Sequence, residues 1–333
     1  MRHAITLLCC SLLPIVAAAQ DAPPSQPAAT GELAFARGGA ILLLDVATGE
    51  ETVLVDDNQY DRPLSWMPDG KRLLFWNHAG GAWDLWSVEV ATKARTNLTK
   101  SARDNRSPAP SPEGTSIAFH RGGDGVWLMK ADGSGQHQLD PRGHRDAAPC
   151  WSTDGRRLAF TSLQPVGESH VRFAMHLLTL EDGAATAHRD LGDGEACAFL
   201  DEHRLLAIGA HEGAYELLVV DTRDGSRKAL THSAASDRNA VLSPDRSRIV
   251  WVVPGEAANR VMSMNVDGGE VRDLAPMQSA FAPPAVSPDG RFVVFESGPD
   301  RRSLQLQLVP IGGGEVRQLT ERGGQLAVWR PGS

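Results

Sequence analysis

Apolar and β-branched residues come in runs of four to seven along this chain, broken by Gly, Pro, Asp and Ser. After the first segment no stretch repeats with the period of a helix, so the rest reads as all-β. The runs fall in a fixed order. A turn of the Ser-Pro-Asp-Gly type is followed by an apolar strand, as in LLFW (73–76), IAFH (117–120), LAFT (158–161) and VVFE (293–296). A polar gap follows, then a second strand such as DLWSVEV (84–90), GVWLMKA (125–131) or YELLVVD (215–221). After an Asp/Gly turn, a short third strand ends in Leu-Thr: NLT (97–99), ALT (229–231), QLT (318–320).

The first turn of each unit ends at Gly70, Gly114, Gly155, His203, Arg246, Gly290 and Gly332, at intervals of 41 to 48 residues. Pro presets φ in that turn, Asp bonds its local backbone and Gly accepts a positive φ. Four short strands per unit at this period are the mark of a β-propeller blade. The chain begins inside a unit, with ELAFAR (32–37) and ILLLDVATGEETVLV (41–55), and ends on QLAVWRPGS (325–333). The final strand is expected to supply the innermost strand of the first blade and close the ring. That gives seven blades. Irregularity in the unit from Ala196 to Ala240 leaves six plus an odd element as the alternative.

Composition adds an address. MRHAITLLCCSLLPIVAAAQ has a basic start, an apolar core too short to span a bilayer and a small-residue cleavage pattern. It predicts a signal peptide over 1–19, cleaved after Ala19. Residues 20–31 read as a flexible Pro/Ala-rich tail, and 32–333 as the propeller. Cys9 and Cys10 do not suit a lipid anchor, because Leu12, Leu13, Ile15 and Val16 continue the apolar run. A periplasmic or secreted, monomeric protein without membrane insertion is expected. The net charge is −8, one more negative once Arg2 is removed. That balance disfavours a nucleic-acid partner, which needs a basic face.

The chemistry is sparse. No H-E-x-x-H and no C-x-x-C spacing occurs. His211-Glu212 stands alone as a candidate ligand pair. Cys150 and Cys197 fall at similar places in adjacent units; a disulfide needs their Cα atoms within about 7 Å, and free thiols are the simpler expectation. One constellation recurs. Nine residues before the turn end stand Asp61, Asn105, Asp146 and Asp237, with Arg62, Arg106 and Arg238 directly after three of them. The other units carry Gly194, Phe281 and Gly323 there, with Asp193 and Glu195 flanking the first. A ring of blades would carry these groups towards one mouth of the central channel. They could hold a cation such as Ca²⁺ or meet a peptide. They could equally cap the strands that follow.

The S-P-D-G-x-x-[IL]-[AV]-F pattern, joined to D-[IL]-[WY]-x-[VM] and [QK]-L-T, resembles the repeat of TolB-like, WD-type β-propellers over residues 32–333. Such repeats occur in periplasmic TolB, in the propellers of dipeptidyl-peptidase and tricorn-type enzymes, and in oligogalacturonate lyases. The resemblance implies an exported propeller that binds an envelope or periplasmic protein or peptide at its channel mouth. The lyases supply the alternative, a metal-dependent polysaccharide lyase. No G-x-S-x-G nucleophile elbow is present, and Gly133-Ser134-Gly135 falls in a blade turn. No catalysis is therefore expected. The repeat specifies architecture far better than activity.

Overall fold

The computed structural model describes residues 28–57, 62–78, 81–140, 145–166, 170–232, 235–278 and 282–332. The expected signal segment and residues 20–27 of the tail lie outside them. The described chain forms 28 strands in seven four-stranded antiparallel sheets.

Blade 1 takes β1 (Glu32–Arg37), β2 (Ala40–Asp45) and β3 (Glu51–Val55). Blade 2 is β4 (Arg62–Trp66), β5 (Arg72–Asn77), β6 (Asp84–Glu89) and β7 (Arg95–Asn97). Blade 3 is β8 (Asn105–Pro110), β9 (Ser116–Arg121), β10 (Gly125–Lys130) and β11 (His137–Gln138). Blade 4 is β12 (Arg145–Trp151), β13 (Arg157–Val166), β14 (His170–Glu181) and β15 (Ala184–Asp193). Blade 5 is β16 (Glu195–Phe199), β17 (Arg204–His211), β18 (Ala214–Asp221) and β19 (Arg227–Ala229). Blade 6 is β20 (Arg238–Leu242), β21 (Arg248–Val253), β22 (Asn259–Asn265) and β23 (Arg272–Met277). Blade 7 is β24 (Ala285–Val286), β25 (Phe292–Ser297), β26 (Gln305–Pro310) and β27 (Arg317–Gln318). The last strand, β28 (Gln325–Trp329), pairs with β1 as the innermost strand of blade 1, with Leu33 opposite Trp329 and Ala34 opposite Val328. The ring is thus closed by the chain's own last strand, as expected, and the count is seven. The irregular unit is a complete blade 5.

The repeated turn works through its side chains as well as its backbone. In blade 7 the Gly290 N–H donates to the Ser287 carbonyl at 2.9 Å. The Ser287 hydroxyl donates to Asp289 Oδ1 at 2.5 Å and accepts the Phe292 N–H at 2.9 Å. Asp289 Oδ1 in turn accepts the Arg291 N–H at 3.0 Å. Gly290 has φ +71°, and in blade 6 Arg246 adopts φ +58° at the same place. The degenerate LDEH copy keeps the device, since Asp201 Oδ1 accepts the His203 and Arg204 N–H groups, each at 2.8 Å.

Each core cluster lies between two blades. Phe35, Leu44, Phe292, Leu308 and Trp329 pack together across blades 1 and 7, and Ala29, just ahead of β1, is buried in the same cluster. Phe119, Leu74, Leu85 and Met129 join blades 2 and 3. Both faces of a blade are therefore covered, which is why the strands are apolar nearly throughout.

Candidate functional site

The innermost strands all begin at one mouth of the channel, and those of blades 1 to 6 each carry a bulge close to that end. In blade 3 the register breaks between Arg106 and Ala109; in blade 4 between Ala147 and Cys150; in blade 6 between Arg238 and Val241. Ser107 (φ +49°), Ala148 (φ +36°), Asn239 (φ +54°) and, in blade 1, Leu326 (φ +55°) adopt left-handed backbone in these bulges. Bulges beside a rim re-aim the side chains around them. That is their effect here.

Asn105 is fully buried and Asp237 almost so. The Asn105 amide donates to the Arg103 carbonyl at 2.8 Å and to Asp84 Oδ1 at 3.3 Å, and its oxygen accepts from Arg121 Nε at 3.0 Å. Asp237 accepts from the Thr231 hydroxyl at 2.5 Å and from Trp251 Nε1 at 3.0 Å. Both side chains therefore serve networks that tie neighbouring blades together. Asp146 lies on β12 opposite Ser162, the rung that Asn105 occupies opposite Arg121 in blade 3. Asp61 lies outside the described residues.

The arginines that follow are placed differently. Arg62 pairs with Trp76, Arg106 with His120 and Arg238 with Val252, always the fourth residue of the neighbouring apolar run. Glu195 holds that rung in blade 5 opposite Ile208. Arg106 and Arg238 are exposed and Arg62 is half-buried. At this level the described rim thus presents three guanidinium groups and one carboxylate. Burial pushes the Glu195 carboxyl above the usual range.

Burial also raises the Asp237 carboxyl, and the nearby Glu216 carboxylate, itself buried, pushes the same way. A raised folded value means the protonated form is the better folded form. Its contribution is complete below the ordinary Asp value of 3.8 and is lost as pH rises through the raised value. Asp237→Asn is therefore expected to be more stable than the parent at neutral pH, with the difference shrinking towards acid. Thermal melts across pH 4 to 8 check this; parallel pH profiles for the two proteins would refute it.

A cleft of about 980 Å³ opens at the mouth, between the innermost ends of blades 4, 5, 6 and 7. Two lengthened hairpins wall it. The β13–β14 pairing runs on through Leu163 opposite Phe173 to Val166 opposite His170, where blade 2 stops at Asn77 opposite Asp84. The β17–β18 pairing extends to His211 opposite Ala214. These extensions carry Val171, Phe173 and Tyr215 to the rim, and all three line the cleft. They are 57%, 36% and 48% exposed, which marks them out in a fold that buries most of its large apolar groups. Arg172 is ion-paired with Asp193, and Glu195, Cys197 and Arg238 line the cleft beside them. Cys150 and Cys197 are free. Burial pushes the Cys150 thiol up to about 12; it also raises Cys197, where Glu195 adds to the effect. Neither is a reactive thiolate at neutral pH.

Sequence reasoning did not find Val171, Phe173 or Tyr215. Alternation along a strand cannot separate an apolar residue facing a neighbouring blade from one standing above it. His211-Glu212 is less isolated than the sequence suggests. His232, in the segment after β19, brings its ring to theirs, and one donor atom from each of the three lies within 4.8 Å of the others. A His₂-carboxylate set is one that zinc accepts.

A family model described as the TolB beta propeller domain matches residues 33–182. The Tol-Pal system protein TolB of Anaeromyxobacter dehalogenans (strain 2CP-C) is 33% identical over 110 residues, 32% of this chain. The chain covers only 25% of that relative's length. Among solved structures, TolB from Acinetobacter baumannii superposes with a TM-score of 0.59 at 18% identity, over 90% of this chain and 67% of that one. An oligogalacturonate lyase in complex with manganese gives 0.66 at 14% identity, over 87% and 85%. Identities this low show the fold alone, and a fold does not fix an activity. The match to the TolB beta propeller domain spans residues 33–182, and the same S-P-D-G turn returns in blade 7; the chain is a seven-bladed β-propeller similar to the TolB propellers.

Proposed function

We propose that this chain is an exported, non-catalytic binding propeller that docks a periplasmic or envelope protein, or a peptide from one, at its channel mouth. The observation that carries this reading is the cleft walled by the two lengthened hairpins, with Val171, Phe173 and Tyr215 exposed on its rim. Aromatic and aliphatic anchors around a concave, charge-flanked patch are what protein recognition uses. The sequence relatives named as Tol-Pal system proteins lend the reading their context. The N-terminal segment, read as a signal peptide, supplies the compartment. The arginine-bearing rungs favour a peptide over a cation as the ligand at the rim.

Affinity capture from an envelope fraction, with mild crosslinking, tests it. A single partner is expected to saturate the parent protein. Phe173→Asp combined with Tyr215→Asp should cut its recovery by about tenfold or more, because anchor residues carry most of the binding energy. Equal recovery by the variant would refute the site. Product formation from acidic oligosaccharides, with a stoichiometric bound transition metal, would replace the reading with the lyase.

A further inference from the structure

Across the mouth from the apolar cleft lies a second one, of about 540 Å³. It sits on the seam where the end of the chain meets its beginning. Arg37 and the β1–β2 turn contribute one wall, Arg62 at the start of β4 another, and Arg301, Arg302 and Arg322 come from the segments that flank β26 and β27. Among the described residues, five arginines line it and no carboxylate does. In a chain of net charge −8 that is a local reversal of sign.

The five are not equivalent. Arg37 is fixed, with NH1 and NH2 on Glu51 at 2.5 and 2.7 Å and Nε on the Gly323 carbonyl at 2.8 Å. Arg322 reaches the same Glu51 at 3.3 Å with its side chain 80% exposed. Arg301 and Arg302 are exposed and Arg62 is half-buried. Among the described residues, Glu51, Asp300 and Glu296 stand nearby. Glu51 is held by Arg37 and Arg322. Asp300 accepts the Arg302 and Ser303 N–H groups. Glu296 is buried on β25, within the field of Arg62 and Arg301.

We infer that this arginine cleft binds an acidic, extended peptide segment of the docking partner through its carboxylates. The inference rests on the mouth being the partner-binding face. Guanidinium forks match carboxylates two bonds at a time, and they lose less on desolvation than ammonium groups do. Gly38, Gly39, Gly323 and Gly324 line the same cleft, and residues without side chains let a ligand backbone approach closely. Among the described residues, no aromatic ring lines it. The described lining thus offers guanidinium groups and open backbone but no stacking platform of the kind sugar rings commonly rest on, and it favours peptide over acidic carbohydrate.

The test uses the full chain and fluorescein-labelled hexaglutamate, read by anisotropy. Saturable binding is expected at low ionic strength, weaker at about 0.15 M salt because exposed charges are screened. The double variant Arg62→Gln, Arg302→Gln should weaken it by about tenfold or more, since it removes two charge-assisted contacts. Arg322→Gln, a change at an exposed loop residue, should weaken it by less and guards against misfolding of the double variant. Arg156→Gln, in the turn at the opposite end of blade 4, should leave it unchanged. No saturable binding, or equal binding by the double variant, overturns the inference. So does tighter binding of trigalacturonate than of hexaglutamate, which would assign the cleft to acidic carbohydrate. Loss of partner capture in the Phe173/Tyr215 variant with hexaglutamate binding intact would separate the two clefts.

Discussion

Deleting residues 325–333 is expected to leave no cooperatively folded protein. That segment is β28, and it holds the ring shut by more than strand pairing. Trp329 is buried among Phe35, Leu44, Phe292 and Leu308, and its Nε1 donates to the Ala285 carbonyl at 3.2 Å. Trp66 Nε1 donates to the Val328 carbonyl at 3.2 Å. Arg330 pairs with Glu32 and donates through Nε to the Gly70 carbonyl at 2.7 Å. Removing one buried Trp side chain alone costs about 3 to 5 kcal/mol. The deletion also bares β1 as an open edge, with unpaired N–H and C=O groups inviting aggregation. Against a total margin of about 5 to 15 kcal/mol, the sum of these losses is decisive. Thermal melts by circular dichroism and size-exclusion chromatography check it. A monomer melting cooperatively within a few degrees of the parent would show that closure contributes little.

The second large effect lies at Asp84, a buried carboxylate at the start of β6. It accepts four hydrogen bonds: from Thr99 Oγ1 at 2.7 Å, Asn97 Nδ2 at 2.9 Å, the Ser101 N–H at 3.1 Å and Asn105 Nδ2 at 3.3 Å. The Thr99 hydroxyl also accepts the Leu85 N–H at 3.1 Å, so the same knot ties β6, the segment after β7 and β8 together. Asp84→Ala strands these donors, of which the Thr99 hydroxyl and the Asn105 amide belong to buried residues. A loss on the order of 3 to 5 kcal/mol is expected, as for breaking a buried charged network from one side. Asp84→Asn, which keeps one acceptor oxygen, should lose less. Urea unfolding should show the midpoint falling with an unchanged slope. A loss below about 1 kcal/mol for Asp84→Ala would mean that the knot relaxes onto water or other partners.

The same knot recurs with altered chemistry at other blades of the mouth. Blade 5 uses Thr231 with Asp237, and blade 7 uses Thr320 with Gln305, whose Oε1 accepts the Thr320 hydroxyl at 3.0 Å. In each, the Leu-Thr at the end of the outermost strand anchors the rim. The recurrent Leu-Thr that looks like a strand ending is therefore a structural clip. Residues that seemed poised to greet a ligand, Asn105 and Asp237, are its partners or close neighbours. What faces outward at the rim is the arginine one position on and the apolar side chains of two overgrown hairpins. A propeller holds its rim rigid, so a few exposed side chains on it can make a defined docking face.

The sequence by itself determined the all-β class, the repeat and the closure by QLAVWRPGS; it favoured seven blades over six plus an odd element, and the complete blade 5 decided the count. The first three rest on local chemistry: turn residues with preset φ, β-branched runs and a strand missing at one end and spare at the other. Only the tertiary structure decided which way the mouth residues point. A bulge with left-handed backbone at Ser107, Ala148, Asn239 and Leu326 turns the strand, and the residues there are not the Gly or Asp that would have announced it. Only the tertiary structure, too, gathered Arg37, Arg62, Arg301, Arg302 and Arg322 into one cleft, because ring closure joins segments nearly three hundred residues apart in the chain. Side-chain direction and convergence depend on how strands twist, bulge and close, and none of that is written in the spacing of residues along one strand.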